Sequence, residues 1–213
     1  MLSVKNSSVM NLENAMRGAR NPLNSWARSD SFYDEEGNYV LGSNDLSLAK
    51  RLAHAGSDHR KYLRQVFVSI DITAPLYWWK EFDTYKVGTV ANSCSSMHKI
   101  TEKEFTLDDF SHEHMIEATL IGFEKMIEYF NVLREAYLSD DIKDPEKKKE
   151  YWWQIIQLLP SSYNQTRNVM LNYEVLANMY KSRKNHKLDE WVKFCEWIES
   201  LPFSEIITGK EEE

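Results

Sequence analysis

One run constrains this chain more than any other: Val66-Phe67-Val68-Ser69-Ile70-Asp71-Ile72, closed by Pro75. It is rich in β-branched residues, and after Val66 apolar and polar positions partly alternate, as in a strand with one buried face. It is the best strand candidate in the chain. The aromatic stretch that follows, residues 76–82, reads as a helix, and Gly88 marks a break. Residues 87–96 are small and polar and read as a loop.

The second half carries helical periodicity. Ser111 or His112 starts a pattern through Met115, Ala118, Leu120, Phe123, Met126, Ile127, Phe130 and Leu133. Asp144-Pro145-Glu146 opens another helix, with Pro in its first turn, running through Trp152, Ile155, Ile156 and Leu159 to Pro160. Residues 166–184 predict a third helix, and residues 188–199 a fourth that Pro202 stops. In the first half, residues 9–20 predict a short helix. Residues 21–26 and 34–38 are turns, rich in Asn, Ser, Asp and Gly. Asn44 or Asp45 caps a helix through Leu46, Ala49, Leu52 and Ala53, ended at Gly56.

Composition limits what such a chain does. Its 213 residues are 42% hydrophobic, enough to bury a core, and the length suits a single domain, with residues 1–45 as a less defined N-terminal arm. A net charge of −7 argues against an extended nucleic-acid surface. A local basic cluster can still bind a small phosphate. Cys94 and Cys195 lie far apart in no CxxC pair, so neither a zinc knuckle nor a disulfide framework is expected. With no signal-peptide run and no membrane-length apolar stretch, the expectation is a soluble, cytoplasmic protein without nucleic-acid or membrane partners. No metal site is expected either, because no helical HExxH is present and His112 and His114 do not share a helix face.

Residues 78–98 concentrate possible chemistry. Residues 84–98 offer hydroxyls, an amide, the Lys86 ammonium and the His98 imidazole, beside a glycine that lets backbone N–H groups approach an anion. Alone, such a segment is more often a polar surface loop. Arg183-Lys184-Asn185-His186-Lys187, between two predicted helices, can bind phosphate or be a solvated basic turn. Arg167, Glu174 and Asn178 recur at helical spacing and would share one face, with Asn172 nearby, most simply as its wet side. Cys94 among serines is more often inert than nucleophilic. The pairs Trp78-Trp79 and Trp152-Trp153 suit core or subunit contacts better than a cofactor wall.

Taken together, residues 55–200 resemble the flavin-dependent thymidylate synthase (ThyX) family. His59 to Arg64, with Gln65-Val66-Phe67-Val68, resembles the lead into the family's central strand. Residues 75–98 resemble the strand exit and the signature motif RHRxxSxNExSxR. With Asn92 and Ser95 set on the motif's Asn and final Ser, Tyr85-Lys86-Val87 fall on RHR, Val90 on the first Ser, Ser93 on the Glu and Met97 on the last Arg. Asn172 and Arg183 match the family's C-terminal Asn and Arg in spacing, while His186 and Glu190 each fall one residue early.

The resemblance implies an α/β (α+β) fold, a central mostly antiparallel sheet flanked by helices, with a helix-rich C-terminal half. It implies a homotetramer whose sites are shared between subunits. It implies FAD as cofactor, with NADPH and methylenetetrahydrofolate as co-substrates, in methylation of dUMP to dTMP without an enzyme nucleophile. Substrate contacts are then expected from Ser95, Ser96, Arg183 and Glu81, and cofactor contacts from Asn92, Lys86, Tyr85, Asn172 and His186. The motif arginines are absent, and Lys86 supplies only a point charge in their place. A homologue that keeps the fold and binds a nucleotide without this chemistry is the alternative. An unrelated, mostly helical interaction protein is a third.

Overall fold

The run beginning at Val66 forms β4 (Phe67–Pro75), one residue displaced. Val68, Ile70, Ile72 and Ala74 are fully buried, and the residues between them are not. The two-residue period of the sequence is thus the two-sidedness of the strand. The computed structural model describes residues 2–95 and 99–209.

The elements before β4 are β1 (Ser3–Met10), α1 (Leu12–Ala19), a short hairpin of β2 (Phe32–Tyr33) and β3 (Tyr39–Val40), α2 (Ser43–His54) and a 3-10 segment, Arg60–Gln65. After it come α3 (Leu76–Phe82), β5 (Val90–Ser93), α4 (Glu117–Leu138), α5 (Pro145–Leu158), β6 (Asn164–Asn172), α6 (Tyr173–Arg183), α7 (Asp189–Glu199) and α8 (Glu205–Thr208). The main sheet has the order β1-β4-β6-β5 and is antiparallel, flanked by helices, as expected. The register of β4 and β6 follows from their bonds. Leu76 N–H donates to Tyr163 O, Thr73 Oγ1 lies 2.7 Å from Thr166 Oγ1, and Tyr173 N–H donates to Val66 O. Residue numbers fall along one strand as they rise along the other.

Contacts divide the chain into two units. One holds Met1–Ser3, Thr73–Phe82 and Asn92–Arg167; the other holds Val4–Ile72, Asp83–Ala91 and Asn168–Glu213. The first has its own core, in which Phe105, Phe110, Ile127, Phe130 and Ile155 join α4 to α5. In the second, Met16, Leu63, Tyr173, Leu176, Trp191 and Phe194 are buried.

Four local expectations are corrected, each because backbone groups have other partners. Residues 9–20 do not form one helix: β1 runs to Met10, and Asn11 takes a left-handed conformation at φ 69°, donating from its amide to Gln65 O. The helix expected from Ser111 begins at Glu117, because Phe110 pairs with Tyr163 and Ser111 N–H donates to Ser162 O at 2.8 Å. The loop expected at 87–96 contains β5, and Cys94 N–H donates to Thr166 O at 2.9 Å. Residues 166–184 are half strand. β6 continues to Asn172, whose Oδ1 then accepts from Val175 N–H and caps α6. Arg167 is therefore on a strand and shares no helix face with Glu174 and Asn178.

The cap of α2 also differs from expectation. Neither Asn44 nor Asp45 caps it. Asp30, distant in sequence, accepts from the N–H groups of both, at 2.8 and 3.1 Å. Gly42 is required there, since a Cβ would lie 2.4 Å from the Asp30 carbonyl oxygen.

Candidate functional site

One cluster of polar and aromatic groups lies at the C-terminal end of α6. Eleven residues carry the helix from its Asn172 cap to Arg183 in the last turn, and α7 presents Trp191. Arg183 Nε donates to Tyr85 Oη at 3.0 Å. Its guanidinium carbon lies 4.8 Å from the centre of the Trp191 ring and 5.7 Å from that of Tyr85. Aromatic faces hold a guanidinium by attraction to the ring quadrupole and leave its formal charge intact.

His186 completes the cluster. Its Nε2 is 3.0 Å from Arg183 Nη1, and Leu188 N–H approaches its Nδ1 at 3.2 Å. A neutral imidazole has one lone pair on nitrogen, so it cannot accept from both. Either tautomer leaves one ring N–H turned toward another donor. An oxygen acceptor placed beside this pair would relieve that opposition.

The N-terminal end of α6 lines a second concavity of about 360 Å³, walled by Val87, Gly88, Asn172 and Val175 and rimmed by Arg64 and Asn178. Gly88 has φ 79°, and a Cβ there would meet Asn172 Nδ2 at 2.7 Å. Glu174 lies in this wall. Arg60 Nε donates to its Oε1 at 3.2 Å, and Arg64 bonds both its oxygens. Burial alone would raise the Glu174 carboxyl, but Arg64 and Arg60 outweigh it and hold it below the usual range. Arg60 also donates to Asn178 Oδ1 at 3.0 Å.

A third and larger cavity, about 820 Å³, opens between the end of α1, α2 and the Arg60–Gln65 segment. Leu48, Leu52 and Tyr62 give it apolar walls, His59 brings an imidazole, and Lys61 brings charge to it.

The expected site residues separate. Tyr85, Arg183 and His186 meet. Asn172 stands in the 360 Å³ concavity, and Lys86 is exposed on the same unit. Asn92, Ser95 and Glu81 belong to the other unit: Asn92 exposed on β5, Ser95 half-buried just beyond it, Glu81 half-buried on α3. Ser96 and His98 lie outside the described residues. Arg60, Arg64 and Trp191 were not anticipated. Arg60 and Arg64 sit four apart in the chain, but their partner is more than a hundred residues away, so only the register of β4 and β6 reveals them.

Other polar groups serve the fold. Arg20, 5% exposed, pairs with buried Asp45 at 2.6 Å and ties down Ser25 and Arg28 through their carbonyls. Ser29 and Ser31 donate to the other Asp45 oxygen. Arg20, Ser29 and Ser31 thus spend their donors within the fold. Trp78 and Trp79 are fully buried, and Trp79 Nε1 donates to Gln165 O. Cys94 is exposed, and burial pushes the Cys195 thiol up to about 11. Among the described residues, no cluster of His, Cys, Asp or Glu is placed to hold a metal, and no helix is long and apolar enough to cross a membrane.

No protein-family profile matches this chain, and no characterised protein matches it by sequence. Solved structures do share its fold. Thymidylate synthase X (ThyX) from Helicobacter pylori, with FAD and dUMP, superposes with a TM-score of 0.63 at 17% identity, over 98% of this chain and 97% of that one. A second H. pylori ThyX complex with FAD and dUMP gives 0.62 at 18%, over 97% and 96%. The UMP/dUMP methylase PolB from Streptomyces cacaoi, bound with 5-Br dUMP, gives 0.57 at 14%, over 98% and 94%. At these identities the likeness is one of fold.

Proposed function

We propose that this chain binds a pyrimidine nucleotide monophosphate, with the phosphate on Arg183. The carrying observation is the cluster of Arg183, His186 and Tyr85, set in a fold whose solved relatives hold dUMP or its bromo analogue. A phosphate oxygen beside Arg183 Nη1 and His186 Nε2 would accept from both, charge-assisted on the arginine side. Ser95, Ser96 and Glu81 are carried as substrate contacts from the sequence resemblance alone, which implies sites shared between subunits. Lys86, Tyr85, Asn172 and His186 are cofactor contacts in this reading, and Asn92, on the other unit, is carried as one from the sequence resemblance alone.

The second reading is flavin-dependent methylation of dUMP to dTMP, with methylenetetrahydrofolate and NADPH as co-substrates. Two observations favour it. The ThyX structures of the same fold contain FAD, and the 820 Å³ cavity is large enough for a planar ring system. When bound, flavin supplies the redox chemistry and carries the one-carbon unit. The residues at the Asn172 concavity do not fit the pyrophosphate of FAD, because Glu174 already engages Arg60 and Arg64. Both readings place the protein in the cytoplasm as a homotetramer, for which the exposed Ile121, Tyr129 and Val132 on α4 offer apolar contact surface.

Calorimetry with dUMP and a visible spectrum test these readings together. Saturable dUMP binding that Arg183→Ala weakens supports the first. A flavin spectrum, or reconstitution with FAD, adds the second. Absence of dUMP binding at millimolar concentration overturns both.

A further inference from the structure

We propose that Glu174 is a specificity-determining residue. It acts as an internal anion that withholds Arg60 and Arg64 from phosphates, so that the Asn172 concavity accepts an uncharged planar heterocycle by its acceptor edge. The argument begins with the carboxylate. Its side chain is 10% exposed, and Arg60 and Arg64 bond both oxygens. A phosphate could take the N–H groups that Arg60 Nε and Arg64 Nε and Nη2 turn into the concavity only by displacing Glu174, leaving a buried carboxylate without its cations and facing a second anion. That exchange is unfavourable.

The two amides define what fits instead. Asn172 Oδ1 accepts from Val175 N–H, and Asn178 Oδ1 accepts from Arg60 Nη2. Those bonds fix which end of each amide is oxygen, so the NH₂ ends are left to face a ligand. Val175 supplies an apolar wall, Val87 stands exposed at the mouth, and Gly88, without a side chain, keeps the space beside Asn172 Nδ2 clear. Two N–H donors beside an apolar wall match ring carbonyls and ring nitrogens. The identity of the heterocycle rests on the nucleotide or flavin reading above; the exclusion of phosphate does not.

The test uses the full chain carrying Arg183→Ala, which removes the other anion site. Inorganic pyrophosphate and riboflavin, a flavin ring without phosphate, are titrated by calorimetry. Adding Glu174→Gln should tighten pyrophosphate binding at least about tenfold, and adding Arg64→Ala to that protein should abolish the gain. A folded Glu174→Gln protein with no gain overturns the proposal. Should that variant not fold, Arg64→Ala in the otherwise natural chain decides. Its pyrophosphate affinity should stay within about twofold, because that guanidinium is already engaged, and a tenfold loss overturns the proposal. Riboflavin should bind the natural chain and Glu174→Gln alike. Its failure to bind any variant overturns the heterocycle assignment, whereas failure of dUMP to bind the natural chain overturns the nucleotide reading separately.

Discussion

The two ends of α6 present arginines in opposite settings. At the start, Arg60 and Arg64 converge on the carboxylate of Glu174. At the end, Arg183 is framed by a phenol, an indole and an imidazole. A carboxylate pairs with a guanidinium charge to charge, while a ring face attracts and orients it. Arginines meet the helix at both of its ends. Their neighbours make one a part of the fold and the other a candidate for phosphate.

The sharpest way to break this distinction is at its extreme, Arg20 with Asp45, where both partners are buried. If compensated arginines are structural, Asp45→Ala should cost about 3–5 kcal/mol by chemical denaturation, because Arg20 is then buried without its counter-ion. A loss under about 1 kcal/mol would show that the pair is dispensable. Arg183→Ala should behave differently. It should leave the denaturation midpoint nearly unchanged and weaken dUMP binding by about 1.5–3 kcal/mol, roughly ten- to 150-fold. Arg183→Lys should recover only part of that, since an ammonium lacks the planar fork that meets both Tyr85 and a phosphate. Equal dUMP affinity in all three proteins would erase the contrast.

The sequence made one end of this comparison legible and hid the other. The basic run 183–187 stood out beside a helix end, and the Asn172 to Arg183 spacing pointed to the same place. Residues 66–72 announced β4 because burial on one face imposes a period of two. Glu174, by contrast, read as part of a wet helix face, since its partners arrive from the Arg60–Gln65 segment through strand pairing. The helix expected over 166–184 failed for the same cause. The polar residues of β6 look unlike a buried strand, and the strands on either side of them, β4 and β5, account for their conformation. Periodicity reports what an element buries against a core; it does not report which distant strand satisfies its backbone.

Acid should sharpen the comparison further. The Glu174 carboxyl is held low by Arg64 and Arg60 against the opposing effect of burial. Asp45 is likewise held low, its desolvation outweighed by Ser29, Ser31 and Arg20. A carboxyl with a depressed folded pKa contributes stability above its unfolded value near about 4, and that contribution disappears as pH falls through the folded value. The melting temperature should therefore drop between about pH 5 and pH 2. Glu174→Gln and Asp45→Asn should each start lower at neutral pH and show a flatter acid limb. Identical pH profiles for these variants and the natural chain would remove the carboxylates from this account.

The smallest expected effect concerns the glycine beside the compensated end. Gly88 has φ 79°, a region that L side chains rarely adopt, and an added Cβ would reach 2.7 Å from Asn172 Nδ2. Gly88→Ala should therefore cost about 1 kcal/mol in stability. The steric push falls on the amide that caps α6, so the change should appear at the start of that helix and fade toward Arg183. Amide hydrogen exchange resolves this. Val175 N–H, which Asn172 accepts, should exchange faster, while dUMP affinity should stay within about twofold. If Gly88→Ala weakened dUMP binding as strongly as Arg183→Ala, the two ends of α6 would be one continuous site, and the division between a compensated and a ligand-facing end would fail.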